Sequence, residues 1–327
     1  MIKIPAKERF NLNQNSVFTA PEVLHNTLLQ IGRNPDDYQL IKLFGGYMNS
    51  NFLAQSQIEQ LMLRVYASDI HTAQKEFDLL RFLSTHPVTV PKVFAYLKIC
   101  SKPVVVMEYL DGITLEDRLQ HGDPLGPAFF EALGQELGEV HKIYFERAGF
   151  IGPKLDIGSG CDNFSDFIGQ FIQRTLRDLK NRPDKLDLTT NERLWQLFEN
   201  QWHRVVKSEV RPQLVHCDFN PKNIMISKDT NPRVLGIIDW EFSDSGNGMI
   251  DLGNFFRFDY DYPNYARDSF ISGYKTRHPN LDPDWVDLAK LIDLGSMCGF
   301  LERQEDYQKS FHTARTVIQS TLTHFGG

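Results

Sequence analysis

The sequence has few cysteines and no long apolar run, and both shortages narrow the class of protein. Its four cysteines lie far apart and form no CxxC pair, which predicts reduced thiols and excludes a disulfide framework or a zinc site. No apolar stretch approaches the roughly 20 residues that cross a bilayer. The starting segment MIKIPAKERFNLNQN also lacks the apolar core of a signal peptide. We therefore expect a cytoplasmic protein without a membrane partner.

A basic excess is missing as well. The chain has 35 Lys and Arg against 42 Asp and Glu, a net charge of −7. Because a nucleic-acid binder needs a basic surface to neutralise phosphates, we expect no nucleic-acid partner, whereas a cationic substrate is compatible with this charge. The sequence contains no internal repeat. Its 327 residues, 41% of them hydrophobic, predict a globular chain large enough for two lobes.

The order of hydrophobic patterns predicts a small β-rich part followed by a mainly helical part. Strand patterns occupy residues 38–44, 51–57, 60–66, 91–97 and 102–110, with helix patterns at 19–31 and 68–86. Further helix patterns follow at 128–142, 163–179, 191–207, 265–274, 283–301 and 307–323. The predicted lobes are residues 1–108 and residues 109–327. A cleft between two lobes is a preferred place for a small-molecule site.

The segment QLVHCDFNPKNIMIS, residues 213–227, carries the strongest chemical pattern. His216, Asp218 and Asn223 stand in the spacing H-x-D-x-x-x-x-N, and the downstream apolar strand VLGIIDWEF leads into Asp239. Asp218 could accept a hydroxyl proton and orient the hydroxyl for in-line attack. Asn223 and Asp239 offer hard oxygens of the kind that Mg²⁺ binds. Each residue alone is typical of a turn, but the ordered set predicts a phosphoryl-transfer site.

The chain resembles the aminoglycoside phosphotransferase and choline kinase-like family of small-molecule kinases over roughly residues 38–301. The segments that carry the resemblance are HCDFNPKN and IIDWEFSDSGNGMIDLGNFFR. The resemblance implies an α+β, protein-kinase-like two-lobe fold. Its small antiparallel-sheet lobe would bind ATP or GTP, and its helical lobe would hold the catalytic loop, the metal site and the acceptor. It implies that Asp218 is the catalytic residue, that Asn223 and Asp239 bind Mg²⁺, and that His216 supports the catalytic loop. Asp251 would hold that loop from the next helix.

The resemblance also implies a set of residues that cover the nucleotide phosphates. The turn LFGGYMNSNFL has no full G-x-G-x-x-G, but its glycines allow close backbone approach and its polar residues add donors. The glycines are Gly45 and Gly46, and the expected donors are Asn49, Ser50 and Asn51. Arg64 stands on the strand where kinases usually have a lysine, with Glu76 of the next helix as its expected ion-pair partner. Arginine keeps the charge but changes the geometry of the phosphate contact.

The adenine is expected at the junction of the two lobes. Met107, Glu108 and Tyr109 end an apolar strand there, where the family's hinge presents backbone groups to the base. Met225 follows Asn223 by two residues and is expected in the apolar floor under the base, although plain core packing is an equally simple interpretation.

Three departures from protein kinases favour a small-molecule acceptor. Asn220 stands where protein kinases have a Lys, Trp240 and Glu241 follow Asp239, and no A-P-E appears. The segments 251–265 and 300–307 are rich in acids and aromatics, which suit an ammonium or amino-sugar group. The predicted function is phosphate transfer from ATP, or GTP, to a hydroxyl of an aminoglycoside, amino-sugar or related metabolite.

Two alternatives to that prediction remain. The first is a choline/ethanolamine-type or homoserine-type metabolite kinase, since the motifs of this family are poor at naming a substrate. The second is a nucleotide-binding pseudokinase with a regulatory role, which only the unusual Arg64 favours. We expect a monomer or a homodimer.

Overall fold

The computed structural model describes residues 20–43, 49–67, 70–158, 160–303 and 307–326. Contacts divide the chain into two compact units. The first runs to Ala73 and includes Val93–Tyr109, and the second comprises Gln74–Lys92 and the chain from Leu110 onwards. Among the described residues, none of the helices combines the length and the apolar character needed to cross a bilayer.

The first unit is built on a five-stranded antiparallel sheet with the strand order β1-β2-β3-β5-β4. The strands are β1 Gln39–Leu43, β2 Ser50–Gln55, β3 Gln60–Val65, β4 Val93–Ile99 and β5 Lys102–Glu108. Helix α1, Ala20–Gln30, packs Leu24 and Leu28 on one face of this sheet. Val104, Val105 and Val106 are fully buried because β5 is an interior strand, which explains its continuous apolar sequence.

The second unit is mainly helical. Helix α2, Ile70–Leu83, enters it at Gln74. Its other helices are α3 Leu115–His121, α4 Pro127–Val140, α5 Phe164–Leu179, α6 Leu188–Lys207, α7 Met249–Phe255, α8 Ala266–Lys275, α9 Trp285–Glu302 and α10 Gln308–His324. Its short strands are β6 Ile113–Thr114, β7 Gly149–Phe150, β8 Gln213–Val215, β9 Ile224–Ile226, β10 Val234–Ile237 and β11 Asp244–Gly246. The apolar faces of α5, α6, α9 and α10 form one core.

Helix α3 was not predicted, although the sequence signals it. Thr114 and Asp117 form a reciprocal capping box at its start, and Gly122 ends it with a left-handed backbone. The strands β6, β7 and β11 were also not predicted. They are two or three residues long, too short for a hydrophobic period to show.

Helices α4 and α8 cross in very close contact because glycines face each other there. A Cβ atom on Gly134 would lie 2.0 Å from the Phe270 carbonyl oxygen, and one on Gly273 would lie 1.9 Å from that of Glu131. The close crossing brings His141, just after α4, beside Tyr274 of α8. These two side chains belong to the network that supports the catalytic loop.

Candidate active site

Two pairs of short strands position the catalytic loop and the candidate metal ligands. The loop from His216 to Asn223 connects β8 to β9. Strand β8 pairs with β11, and β9 pairs with β10, which ends two residues before Asp239. The negative charge of Asp239 is one of the causes that raise the pKa of Asp218, so the two carboxylates lie near each other.

Both oxygens of the Asp218 carboxylate are held by amide groups of the same loop. Asn220 Nδ2 donates to Oδ1 at 2.8 Å, and Asn223 Nδ2 donates to Oδ2 at 2.9 Å. Burial is the largest cause that raises the pKa of Asp218, and the charge of Arg257 is among those that lower it. The carboxylate is therefore fixed in orientation and surrounded by protein, as a base for a hydroxyl proton should be.

Asn223 and Asp239 fit a magnesium ion by the chemistry of their donor atoms. Asn223 uses its Nδ2 on the carbonyl and carboxylate of Asp218, so its remaining side-chain oxygen is the atom that can bind a cation. Asp239 has a left-handed backbone, with φ 68°. No group of three His, Cys, Asp or Glu suited to a metal occurs among the described residues. Two oxygen donors are nevertheless enough for Mg²⁺, which keeps waters and substrate phosphates as its other ligands.

His216 connects the catalytic loop to the segment that precedes Asp239. Its ring is fully buried, its Nε2 lies 3.0 Å from the carbonyl oxygen of Ile238, and its Nδ1 accepts the Asp218 backbone N–H at 3.3 Å. The ring centre lies 4.6 Å from that of Trp240. With both nitrogens in internal hydrogen bonds, His216 has the contacts of a support for the loop and not those of a base.

Asp251 of α7 anchors the backbone of the catalytic loop. It is fully buried, and it accepts the backbone N–H groups of His216 at 2.7 Å and of Cys217 at 2.8 Å. His141 Nε2 lies 3.1 Å from the same carboxylate, and His141 Nδ1 lies 2.8 Å from the Tyr274 hydroxyl. Sequence reasoning identified Asp251 but missed His141 and Tyr274, because no spacing in the chain links three such distant positions.

Cys217, immediately before Asp218, has a left-handed backbone. Its φ is 62°, a region that costs a residue with a Cβ about 1–2 kcal/mol. Desolvation raises the pKa of its thiol well above the usual range, so the thiol is neutral. The residue therefore contributes backbone strain next to Asp218 and no thiolate chemistry.

We expect Cys217→Gly to be more stable than Cys217→Ala by about 1 kcal/mol, because only glycine relieves the positive φ while both lose the thiol. Urea denaturation of the two variants measures the difference. Equal stabilities, or a more stable alanine variant, would contradict the strain.

Lys75 of α2 is held against the segment that follows Asp239. Its buried ammonium donates to the carbonyl oxygen of Ser243 at 3.1 Å. Burial raises the pKa of neighbouring Asp244 to about 7, although the positive charge of Lys75 and a hydrogen bond from the Ile151 backbone act in the opposite direction. This contact was not predicted from the sequence.

Because the pKa of Asp244 is raised in the folded protein, we expect the stability to decline with rising pH. Its ordinary pKa is 3.8 and its folded pKa is about 7, so between these values the folded protein holds a proton that the unfolded chain has lost. The contribution to the free energy of unfolding is complete below about pH 4 and is lost as the pH approaches about 7. Urea midpoints measured across this range should fall less steeply in Asp244→Asn. An unchanged slope would assign the pH dependence to other groups.

The predicted phosphate-covering residues lie mainly in the first unit. Gly45 and Gly46 lie outside the described residues. Asn49 directly precedes β2, and Ser50 begins that strand opposite Val65. Arg64 of β3 is 8% exposed, and its guanidinium lies 5.3 Å from the centre of the Tyr66 ring.

The remaining predicted nucleotide residues are divided between the units. Met107 and Glu108 end β5 and Tyr109 follows them, all in the first unit. Glu76 is buried in α2, and Met225 is half-buried in the middle of β9, both in the second unit. The ion pair of Arg64 with Glu76 and the adenine contacts remain predictions.

Four of the acids and aromatics predicted to bind an ammonium group already contact other groups of the protein. Asp251 holds the catalytic loop, as described above. Phe300 and Tyr307 have the guanidinium of Arg303 over their rings, at 4.7 and 5.6 Å from the ring centres. The carboxylate of Glu302 accepts the Thr175 hydroxyl at 2.7 Å. These contacts leave less of the two segments for a cationic acceptor than their composition indicates.

Comparison with known proteins identifies the family. The sequence profile described as the phosphotransferase enzyme family matches residues 40–289. This chain belongs to that family. The expected recognition is thereby confirmed.

Solved structures show the same fold at low sequence identity. A thermostable variant of aminoglycoside phosphotransferase APH(4)-Ia, in ternary complex with ADP and hygromycin B, superposes with a TM-score of 0.65 at 17% identity, over 92% of this chain and 99% of that one. ADP-bound aminoglycoside phosphotransferase APH(2'')-Ib gives 0.59 at 19% identity, over 93% and 98%. The predicted α+β, protein-kinase-like fold class is confirmed.

Curated relatives are larger proteins. A protein of Arabidopsis thaliana named probable acyl-CoA dehydrogenase IBR3 is 27% identical over 245 residues, 67% of this chain and 28% of the relative. The chain spans about a quarter of the length of the curated relatives it matches.

Proposed function

We propose that this kinase transfers the γ-phosphate of ATP to a hydroxyl group of a small polar molecule in the presence of Mg²⁺. The observation that carries the proposal is the Asp218 carboxylate, with each oxygen held by one asparagine amide of the catalytic loop. A carboxylate fixed in this way can receive one hydroxyl along a defined direction, which is the main requirement of phosphoryl transfer.

The residues of the chain have separate tasks in this proposal. Asp218 accepts the hydroxyl proton and orients the attacking oxygen. Asn223 and Asp239 hold the magnesium ion, which when bound neutralises charge on the phosphates. His216 and Asp251 keep the loop in place. Arg64 steadies the phosphates, with Gly45, Gly46, Asn49 and Ser50 as the expected cover.

The acceptor classes to test first come from the family and its solved members. Hygromycin B in the APH(4)-Ia complex makes aminoglycosides and amino-sugars one panel. Choline, ethanolamine and homoserine form a second panel. Each compound is incubated with ATP or GTP and Mg²⁺, and a mass increase of one phosphoryl group identifies the acceptor and the preferred nucleotide.

The screen has a direct control in the absence of Mg²⁺. We expect transfer, or at least slow ATP hydrolysis, that requires the metal. Nucleotide binding without any transfer or hydrolysis, over all panels, would reject the proposal and favour a pseudokinase.

A third acceptor panel follows from the curated relatives. Their names describe acyl-CoA dehydrogenases, and the chain matches about a quarter of their length. A match to part of proteins with such names favours an acceptor hydroxyl on an acyl chain. Hydroxyacyl thioesters and the free hydroxy acids therefore belong in the screen as a second candidate function.

A further inference from the structure

A groove along α10, which we call the α10 groove, has a composition unlike that of the whole chain. It has a volume of about 700 Å³, and Lys290 of α9 forms one side of it. His312, Arg315 and His324 of α10 line it together with hydroxyl groups such as those of Thr316 and Ser320. Of the described residues that line the groove, none is acidic. Its side chains are therefore donors and cations on a protein whose net charge is −7.

The sequence of α10 accounts for this local charge. Its 17 residues contain no Asp or Glu. His312, Thr316 and Thr323 recur at intervals of four and seven residues, so they share one face of the helix, and this face is exposed. The opposite face, with Ala314 and Ile318, is buried in the core of the second unit. The basic composition is thus concentrated on the exposed side.

Lys290 lies in an environment that is unfavourable for its positive charge. It is half-buried, and burial followed by the positive charge of Arg267 lowers the pKa of its ammonium. Asp293 acts in the opposite direction but is itself bound by Arg257 through two hydrogen bonds of 2.9 and 2.6 Å. An anion beside Lys290 would offset both the burial and the repulsion.

The other charged side chains around the groove have partners in the protein, and these contacts do not cancel the positive charge of the groove. Asp287 also favours the charged form of Lys290, but it already contacts Arg204 at 2.9 Å and His324 at 2.7 Å. Arg315 donates through Nε and Nη2 to backbone carbonyls of residues 184 and 185, which are neutral acceptors. Its positive charge is therefore oriented by the protein without being cancelled by these two contacts.

We propose that the α10 groove binds a phosphate-type anion, either a phosphate monoester group or inorganic phosphate. Lys290 and Arg315 supply fixed positive charge on opposite helices, and the hydroxyls of Thr316 and Ser320 supply further donors to phosphate oxygens. Charge-assisted hydrogen bonds of this kind are the strongest that a groove open to solvent can offer to a small ligand.

A second, smaller cavity adjoins the α10 groove on the side of Arg257. It has a volume of about 30 Å³, shares Lys290 and Ser320 with the α10 groove, and is also lined by Arg257. The charges of Arg257 and Asp218 act on each other, which indicates that Arg257 lies near the catalytic carboxylate. The bound phosphate group therefore has two sources to distinguish, the acceptor substrate itself and a separate phosphorylated molecule.

Titration calorimetry with inorganic phosphate tests the site directly. The protein is first saturated with a non-hydrolysable ATP analogue and Mg²⁺ so that the catalytic site is filled, and ionic strength is held constant with chloride. We expect saturable phosphate binding that weakens roughly tenfold in Lys290→Gln. Lys309→Gln removes the same charge from α10, outside the groove, and should stay within about twofold of the wild type. Arg315→Gln is a second variant, with its thermal midpoint measured to verify folding.

The absence of saturable phosphate binding in the wild type, or equal binding in the wild type and Lys290→Gln, overturns the proposal. Equal losses of phosphate affinity in Lys290→Gln and Lys309→Gln would mean that only the net charge of the protein matters. That result would also reject a specific site in the groove. Because binding of phosphate needs no turnover, the experiment stands apart from the proposed kinase activity. If the protein binds phosphate in the groove but phosphorylates no acceptor, only the proposed kinase activity is rejected.

Kinetics then identify the source of the phosphate group. Acceptors from the screen are compared with their phosphate-bearing counterparts that keep one free hydroxyl. If the acceptor carries the group, Lys290→Gln should raise KM roughly tenfold for the phosphate-bearing compound only, with kcat and the nucleotide KM unchanged. If a separate molecule supplies it, phosphate binding is lost while the KM of every acceptor stays the same.

Discussion

Replacing Asp218 by alanine should lower turnover by about 10²–10⁴ if the residue acts as the general base. The reason is the geometry of its carboxylate, which Asn220 and Asn223 hold through both oxygens. No other carboxylate among the described residues of the catalytic loop can take over the hydroxyl proton. The measurement is kcat at saturating nucleotide with the acceptor found in the screen, and nucleotide affinity is measured in parallel.

A matched control separates chemistry from folding. Asp229→Ala removes an exposed aspartate from the turn between β9 and β10 and should leave kcat and the thermal midpoint close to the wild type. Asp218→Ala should bind nucleotide within a few-fold of the wild type. Activity within a few-fold of the wild type in Asp218→Ala would remove this residue from the mechanism, whatever the acceptor.

Replacing Asp251 by alanine should produce the largest loss of stability among the residues of the site. Its carboxylate accepts the backbone N–H groups of His216 and Cys217 and contacts His141, and all of this lies in a fully buried position. Removing the carboxylate leaves these donors without an acceptor in the interior. We expect the free energy of unfolding to fall by about 3–5 kcal/mol.

Urea denaturation measures this loss through the midpoint at an unchanged m-value. Asp251→Asn keeps one acceptor oxygen and should lie between the wild type and the alanine variant. Asp268→Ala, an exposed acid on α8, should change the stability by less than about 0.5 kcal/mol. If Asp251→Ala were no less stable than this control, the anchoring role of the carboxylate would be wrong.

The longer strands and helices could be predicted from the sequence because each buries apolar residues that recur in one regular pattern along the chain. The valine run of β5 is continuous because that strand is interior, and α5 places Ile168, Ile172, Leu176 and Leu179 at helical spacing on its buried face. Helix α3 was missed although its capping box was present, since seven residues are too few for a period to stand out. Of the short strands near Asp218 and Asp239, β10 pairs with its neighbour β9. Strand β8 pairs with the more distant β11, and β9 also pairs with the distant β6, which no local pattern records.

The sequence by itself indicated the family, because His216, Asp218, Asn223 and Asp239 stand in one ordered motif. The catalytic and metal-binding roles of these four residues stay predictions. The tertiary structure alone decided how the motif is held and what lies beside it. The contact of His141 with Asp251, the strain at Cys217 and the basic face of the α10 groove depend on side chains that are far apart in the chain. The physical reason is that hydrogen bonding, burial and charge act through distance in space, and a linear pattern contains only distance along the chain.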